Sequence, residues 1–460
     1  MAAPLDTDYL VIGAGASGMA FTDALLDHSD AHVTLVDRRT AVGGHWVDAY
    51  PFVRLHQASP FYGVASTPLG GAIQASGPEA GLHERATGPE VCAYYDRVLR
   101  ERFEASGRVT FLGGHEVDDG GTVVALDGGG TRQVRARRRV VDARYLSPEI
   151  PALTPPPFDV ADGVACVPVG GLPAVADADA FVIVGSGKTA TDAIVWLLSR
   201  GTDPEAITWV RPRDPWMLDR ATVQPDPAVF LSMAAALMES AASARTVDAF
   251  FHRLEDDGVM LRLDPAVTPT MARVPTLGRW ELDLLRTVTD VVRAGHLRRA
   301  LPGRLVLDGG DVRVPQDAVV VHCAAAGLRM RPAVPIWSPG RMVLQPVRAG
   351  FPCFGAALTG FVEATRADVP DAAKNALCPA TPLFSTPRDW VGAQAEGARA
   401  GRAFMADPDV ARWSHTTSLN PSRVTPQDRE RPEVQEAVGR LRSVTDAGVR
   451  GLTRLAAAPG

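Results

Sequence analysis

Lysine is nearly missing from this chain. Of its 47 Lys and Arg residues only Lys188 and Lys374 are lysines, which leaves 45 arginines. With the many Ala, Gly and Pro, that skew reflects a GC-rich genome rather than a function, but it singles out Lys188, which sits inside a glycine-rich loop. Close cysteine pairs are missing as well. Cys92, Cys166, Cys323, Cys353 and Cys378 are scattered, with no Cys-x-x-Cys and no Cys/His cluster. That spacing argues against a disulfide framework, a redox dithiol and a metal site. Long apolar runs are absent: the longest, Val229–Met238, is far short of a membrane span. Met1–Thr7 has no apolar leader, so a cytoplasmic protein without a membrane partner is expected. There is no basic excess either. The net charge is −6, and short clusters such as Arg137-Arg138-Arg139 read as solvated strand edges, so nucleic acid is not an expected partner.

What is present is a folded composition, 46% apolar and 22% charged, over a length of 460 residues that suits two or three domains. Residues 8–12 read as a buried parallel strand running into Gly13-Ala14-Gly15-Ala16-Ser17-Gly18. A helix with Met19, Phe21, Leu25 and Leu26 on one side follows, then a second apolar strand ending on Asp37-Arg38. This order of strand, G-x-G-x-x-G, helix, strand and acid binds dinucleotides for physical reasons. Gly13 permits the tight turn, Gly15 lets a pyrophosphate approach the backbone, and Gly18 lets the helix pack near the sheet. The helix N-terminus offers free N–H groups, and Asp37 can accept from ribose hydroxyls. The early position of the unit favours FAD.

A second unit begins at residues 181–184, again an apolar strand, followed by Gly185-Ser186-Gly187-Lys188-Thr189-Ala190 and a helical pattern through Leu198. Its next strand ends on Arg211-Pro212-Arg213, with no acid to read a ribose 2′-hydroxyl. A guanidinium there can clamp a 2′-phosphate, so Arg211 and Arg213 point to NADPH. Gly187-Lys188-Thr189 imitates the end of an ATP-binding P-loop, but that motif needs glycine where Val182 stands, and Lys188 is expected at most to touch a phosphate of the nicotinamide cofactor.

After Asp37 come Gly43-Gly44-His45-Trp46 and Tyr50-Pro51-Phe52-Val53-Arg54-Leu55-His56-Gln57. With two glycine loops 172 positions apart, these stretches resemble the two-dinucleotide-domain flavoprotein monooxygenases: flavin-containing, Baeyer–Villiger and N-hydroxylating enzymes. The resemblance implies that Gly44, His45 and Trp46 pass along the flavin, with Ser17 and Gln57 also at the cofactor. It implies that Tyr50–His56 takes the place of the Baeyer–Villiger stretch Tyr-Pro-Gly-x-Arg-x-Asp, with His56 for the Asp. Arg54 and His56 are then the candidate catalytic pair. A histidine that is neutral yet titrates near working pH leans the expectation towards heteroatom or carbon hydroxylation rather than ester formation. Three departures stand out. The Phe-x-Gly-x-x-x-His signature before the second loop is missing, strand ends that read Ala-Thr-Gly elsewhere read differently, and Phe351–Ala357 takes the place of the usual C-terminal Gly-Asp.

The expected fold is α/β, with two doubly wound Rossmann-like dinucleotide-binding domains, the second inserted in the first. Residues 1–170 would begin the FAD domain, with Thr87 and Glu90 capping a helix to about Phe103. Residues 175–315 would bind NADPH and include an Ala-rich helical stretch, 228–254. The chain would rejoin the FAD sheet near residues 312–324, and 316–460 would end in a helix, 387–406, and a polar tail. The implied activity is insertion of one oxygen atom from O2 into a small organic molecule through a flavin C4a-(hydro)peroxide. An oxidase or dehydrogenase that moves hydride without oxygen insertion is the alternative. Oligomeric state is left open.

Overall fold

A computed structural model of the chain describes residues 5–118 and 121–458; residues 1–4, on which the expectation about a leader partly rests, lie outside the described residues. Two sheets organise it. In the first, Arg341–Val343, Thr131–Asp142, Leu5–Ile12, Val33–Asp37 and Val109–Gly113 lie side by side and parallel. Leu10, Val11 and Leu35 are buried on both faces, which explains why the strands read as unbroken apolar runs. Helix Ala16–Asp27 lies against helix Pro352–Thr365. A Cβ at Gly360 would stand 2.6 Å from the carbonyl oxygen of Phe21, so this contact needs glycine.

The first sheet also carries antiparallel strands, Trp337–Ser338 and Thr122–Ala125, whereas the second is parallel throughout, in the order Val291–Val292, Ile207–Val210, Phe181–Val184, Val319–His322, Cys166–Pro168. The α/β fold with two Rossmann-like units is therefore as the sequence implies, but its seam is not. The strand expected to rejoin the first sheet near residues 312–324 is Val319–His322, and it is an inner strand of the second sheet. The return comes at Arg341–Val343, in register with Val140–Asp142. A short Val-rich strand buried on both faces suits either sheet equally well, so periodicity does not assign it.

Thr87 and Glu90 form the expected capping box, and the helix they start, Gly88–Val98, continues as a π-helical turn, Leu99–Glu104. The Ala-rich stretch is two helices, Pro227–Ser243 and Val247–Asp256, separated where Thr246 caps the second. The polar tail corrects most: it contains a 26-residue helix, Pro432–Ala457. This helix lies backbone to backbone on Pro227–Ser243, because a Cβ at Gly451 would fall 2.0 Å from the Ala241 carbonyl oxygen. Together with Pro387–Met405 these helices form a cap beside the two sheets. Among the described residues no helix is long and apolar enough to cross a membrane.

Candidate functional site

Both glycine loops open on one cavity of about 2130 Å³, about twice the ~1,000 Å³ upper end for a single small-molecule site. In the first loop Gly13 turns at φ +107, and a Cβ at Gly18 would lie 1.9 Å from the Gly13 carbonyl oxygen. Helix Ala16–Asp27 starts at Gly15 with no side-chain cap and no acid in its first turn. Its free N–H groups are thus left for an anion. Gly44, at φ +62, backs onto this loop so closely that its Cβ would come 2.8 Å from the Gly15 Cα.

Asp37 is buried at the cavity wall, where Oδ2 accepts from Ala14 N–H at 2.7 Å and Oδ1 from Arg39 N–H at 2.9 Å. One further lone pair per oxygen remains for a ribose hydroxyl. Ser17 and Arg38 lie on the same wall, Arg38 exposed. Trp46 is fixed by its Nε1–H donating to the Tyr62 hydroxyl at 2.6 Å. The half-buried His45 is held neutral, its pKa pushed down to about 4 by burial and then by Arg39.

The segment from Tyr50 to Gln57 crosses from the first unit to the second. The Tyr50 hydroxyl donates to Asp192 Oδ2 at 2.6 Å, and Phe52 stacks on Trp196 with ring centroids 4.9 Å apart. Gln57 Nε2 donates to the Gly350 carbonyl at 2.7 Å. Arg54 is exposed on the cavity wall and donates to the Arg85 carbonyl at 3.2 Å. His56 also lines the cavity, its Nδ1 shut off from solvent with no hydrogen-bond partner among the described residues. Its pKa is pushed down to about 3, first by burial and then by Lys188, Arg220 and Arg85. The expectation of a histidine titrating near working pH is therefore corrected. Three cations beside a poorly solvated imidazole keep it neutral throughout that range.

In the second loop Gly185 turns at φ +143 with its Cβ position 3.0 Å from the Cys323 carbonyl oxygen, while Gly187 faces open space. Helix Lys188–Ser199 starts at Gly187, again without a side-chain cap or an acid in its first turn. Ser186 and Thr189 are half-buried on the wall. Lys188 bends back to Asp192 and lies 3.4 Å from Glu281. The two arginines after the next strand part company. Arg213 is exposed on the cavity wall. Arg211 is buried, pairs with Asp214 at 3.0 Å and lies over the Trp209 ring, away from the cavity residues. Its pKa is lowered to about 10, by burial against the opposing pull of Asp214. In Arg211's stead the cavity wall carries Arg273, close enough to Arg213 for the two charges to repel.

Sequence reasoning missed the charge network between the units. Arg220 donates to Glu79 and, at 2.6 Å, to Glu281 Oε2, and its Nε–H donates to the His56 carbonyl at 3.1 Å. Glu79 also pairs with Arg85 at 3.0 Å. With Lys188 and Asp192 the network has three cations and three carboxylates. Burial alone would raise the Glu281 carboxyl, but Lys188, Arg220 and Arg85 hold it down to about 2. No spacing signals this cluster, since its members come from segments up to 202 positions apart, from Glu79 to Glu281.

The family described as "NAD(P)-binding Rossmann-like domain" matches residues 11–51, from the end of the first strand through the loop, its helix and the strand Val33–Asp37. The uncharacterized protein Rv2000 of Mycobacterium tuberculosis is 41% identical over 439 residues, covering 94% of this chain and 81% of the relative. Among solved structures, the polycyclic ketone monooxygenase of Thermothelomyces thermophila matches 98% of this chain and 89% of its own at 13% identity, with a TM-score of 0.51. The bacillithiol disulfide reductase of Bacillus cereus matches 78% of this chain and 99% of its own at 13% identity, with a TM-score of 0.45.

Proposed function

This chain belongs to one family with the mycobacterial protein Rv2000, and from that premise we propose that it is an FAD-dependent oxidoreductase that draws hydride from NADPH and acts as a monooxygenase on a small organic molecule. One observation carries the reading: two uncapped helix N-termini, each behind a glycine loop, open on one cavity large enough for two dinucleotides and a substrate. The first site fits FAD, since a side chain at Gly15 or Gly44 would fill the cradle and Asp37 keeps free lone pairs at the wall. Gly13, Gly15, Ser17, Asp37 and Gly44 would hold it, with Trp46 and Gln57 further along, while Gly18, expected at the cofactor, lies off the cavity and serves the packing of helix on loop. The second site would hold NADPH by Gly185, Ser186, Gly187 and Thr189, with Arg213 at the 2′-phosphate.

When bound, FAD accepts a hydride from the nicotinamide and, reduced, can pass electrons to O2. The residues of this chain bind, orient and exclude. Tyr50 and Lys188 both hold Asp192, and Arg220 holds the His56 carbonyl, so the cavity wall between the two nucleotide sites is braced from below. His56 presents a neutral ring there, able to donate or accept one hydrogen bond without changing charge between pH 5 and 8. That suits stabilising a neutral, protonated oxidant, the form that favours heteroatom or carbon hydroxylation. Steady-state NADPH oxidation, measured with O2 uptake and peroxide release, tests the reading. With a substrate present, O2 should be consumed without matching peroxide. Stoichiometric peroxide under every condition would make the enzyme an oxidase instead, and hydride transfer without O2 uptake a dehydrogenase.

A further inference from the structure

The cations withdrawn from water in this protein almost all have a carboxylate beside them. Arg220 has Glu79 and Glu281, Arg85 has Glu79, Lys374 has Glu363 and Arg211 has Asp214. Two half-buried arginines on the cavity wall do not: Arg273, which donates to Ser385 and the Ala326 carbonyl, and Arg348. Arg348 lies over the rings of Phe230 at 5.5 Å and Phe351 at 5.8 Å. Its hydrogen bonds go to neutral oxygens, Asn420 Oδ1 at 3.4 Å and Ser422 Oγ at 2.6 Å. Among the described residues no carboxylate pairs with it. Burial lowers its pKa to about 10, so the guanidinium stays charged at neutral pH. A half-buried cation with only neutral partners is poorly compensated. The cost is offset when an anion arrives, and at most two of its five N–H donors are already used.

The surroundings narrow the anion. His415 lines the same cavity and is held neutral by burial and by Arg429 and Arg423. One positive charge with no second cation beside it suits a monoanion, and a planar guanidinium matches a carboxylate through two parallel hydrogen bonds. From Arg348 the wall continues along one face of helix Pro227–Ser243 through Phe230, Met233 and Leu237. Seven residues of helix give this face a length of about 10 Å. Opposite it, on helix Pro387–Met405, Gly397 and Gly401 line the cavity, and a Cβ at either would meet no atom within 4 Å. The cap therefore leaves an apolar arm open beyond the guanidinium.

We infer that Arg348 is the substrate's carboxylate-binding residue, and that the substrate is an organic acid with an apolar body about 10 Å long lying along Phe230, Met233 and Leu237. The inference rests on the oxidoreductase reading for the identity of the occupant as substrate, but its test is one of binding. The FAD-loaded enzyme is titrated calorimetrically with decanoate and with its neutral isostere decanamide. Decanoate should bind about tenfold tighter or more. Arg348→Met should erase that preference while decanamide binding persists, Arg348→Lys should keep part of it, and Gly401→Leu should weaken both ligands by filling the arm. Equal affinity of the wild type for the two ligands overturns the inference. So does an Arg348→Met enzyme that loses FAD yet keeps the preference, since the guanidinium would then serve the flavin. If Arg348→Met does not fold, Arg348→Lys and the wild-type preference decide. A decanoate preference in an enzyme that releases only peroxide leaves the carboxylate site standing and removes the monooxygenase reading alone.

Discussion

The two glycine loops start from nearly one sequence pattern and end in different surroundings. The first is walled in by its own chain: Gly44 presses on Gly15, Ala14 N–H is tied to Asp37, and Gly18 lies against Gly13. The second is left open at Gly187, its lysine is drawn away to Asp192 and Glu281, and one of its two arginines is buried. The motif sets the shape of the turn, whereas the neighbours set access to it. A loop enclosed by backbone suits a group that stays through many turnovers, and an open one suits a group that enters and leaves. One alanine behind the first loop and one in the second test this most severely. Gly44→Ala places a Cβ 2.8 Å from Gly15 at a positive φ, whereas Gly187→Ala meets nothing within 4 Å. Gly44→Ala should strip FAD from the purified protein, weakening it by about tenfold or more (on the order of 1.4 kcal/mol). Gly187→Ala should leave FAD content and the melting temperature unchanged, since its methyl reaches only the space NADPH would fill, so that any loss appears in the KM for NADPH. Similar damage from both, read from flavin absorbance and from kinetics, would break the contrast.

The second loop's withdrawn lysine offers a test on stability. Glu281→Gln removes one of three carboxylates facing Lys188, Arg220 and Arg85. Leaving buried cations short of a partner costs about 3–5 kcal/mol, so the melting temperature should fall by many degrees. Lys188→Met sharpens the point: the melting temperature should drop while the KM for NADPH barely moves. If the KM rises and the melting temperature does not, Lys188 serves the phosphate after all, as a P-loop-like reading of Gly187-Lys188-Thr189 would have it.

How much of this was legible follows from what each feature depends on. The two strand–loop–helix units depend on neighbours in sequence, and their glycines, the strand Phe181–Val184 and the helix near 387–405 lie where periodicity and turn chemistry put them. Val319–His322 was misassigned because sheet membership depends on partners 135 or more positions away, such as Phe181–Val184. Arg211 and Arg213 flank Pro212 just past the end of strand Ile207–Val210, where the chain bends, so the two-residue period that would keep them on one side no longer holds. Sequence adjacency alone could not say which faces the cavity. The terminal helix carries a legible signal, Gly448 and Gly451 three apart among apolar positions, and the polar residues around them masked it. Arg348 carries none: its place over two rings on the cavity wall, without a carboxylate, exists only in three dimensions.

That divergence of the paired arginines predicts a smaller, more selective effect. Arg213→Ala should raise the KM for NADPH about tenfold over that for NADH, since a charge-assisted hydrogen bond contributes about 1.5–3 kcal/mol. Arg211→Ala should leave that ratio alone and lower the melting temperature, because it removes one of Asp214's two arginine partners and uncovers the Trp209 ring. Parallel shifts in cofactor ratio for both variants would return Arg211 to the site.

The smallest effect is one of pH, and it separates the enclosed side of the cavity from an ordinary surface. His56 has a folded pKa near 3 against about 6.5 in an unfolded chain. Between those values the unfolded chain holds a proton that the folded one lacks. His56 therefore contributes stability that is fully present above about pH 6.5 and is lost as pH falls towards 3, by up to ~1.4 kcal/mol per pH unit. His45, pushed down to about 4, contributes in the same direction over a narrower window. The wild-type melting temperature should then decline between pH 7 and 5, and His56→Gln should decline less, since glutamine has no proton to gain. The rate profile between pH 6 and 8 should show no inflection from His56, because its ring stays neutral throughout. An imidazole NMR resonance of His56 with a midpoint near 6.5 would contradict this. It would also return the ring to solvent, where Lys188, Arg220 and Arg85 no longer govern it.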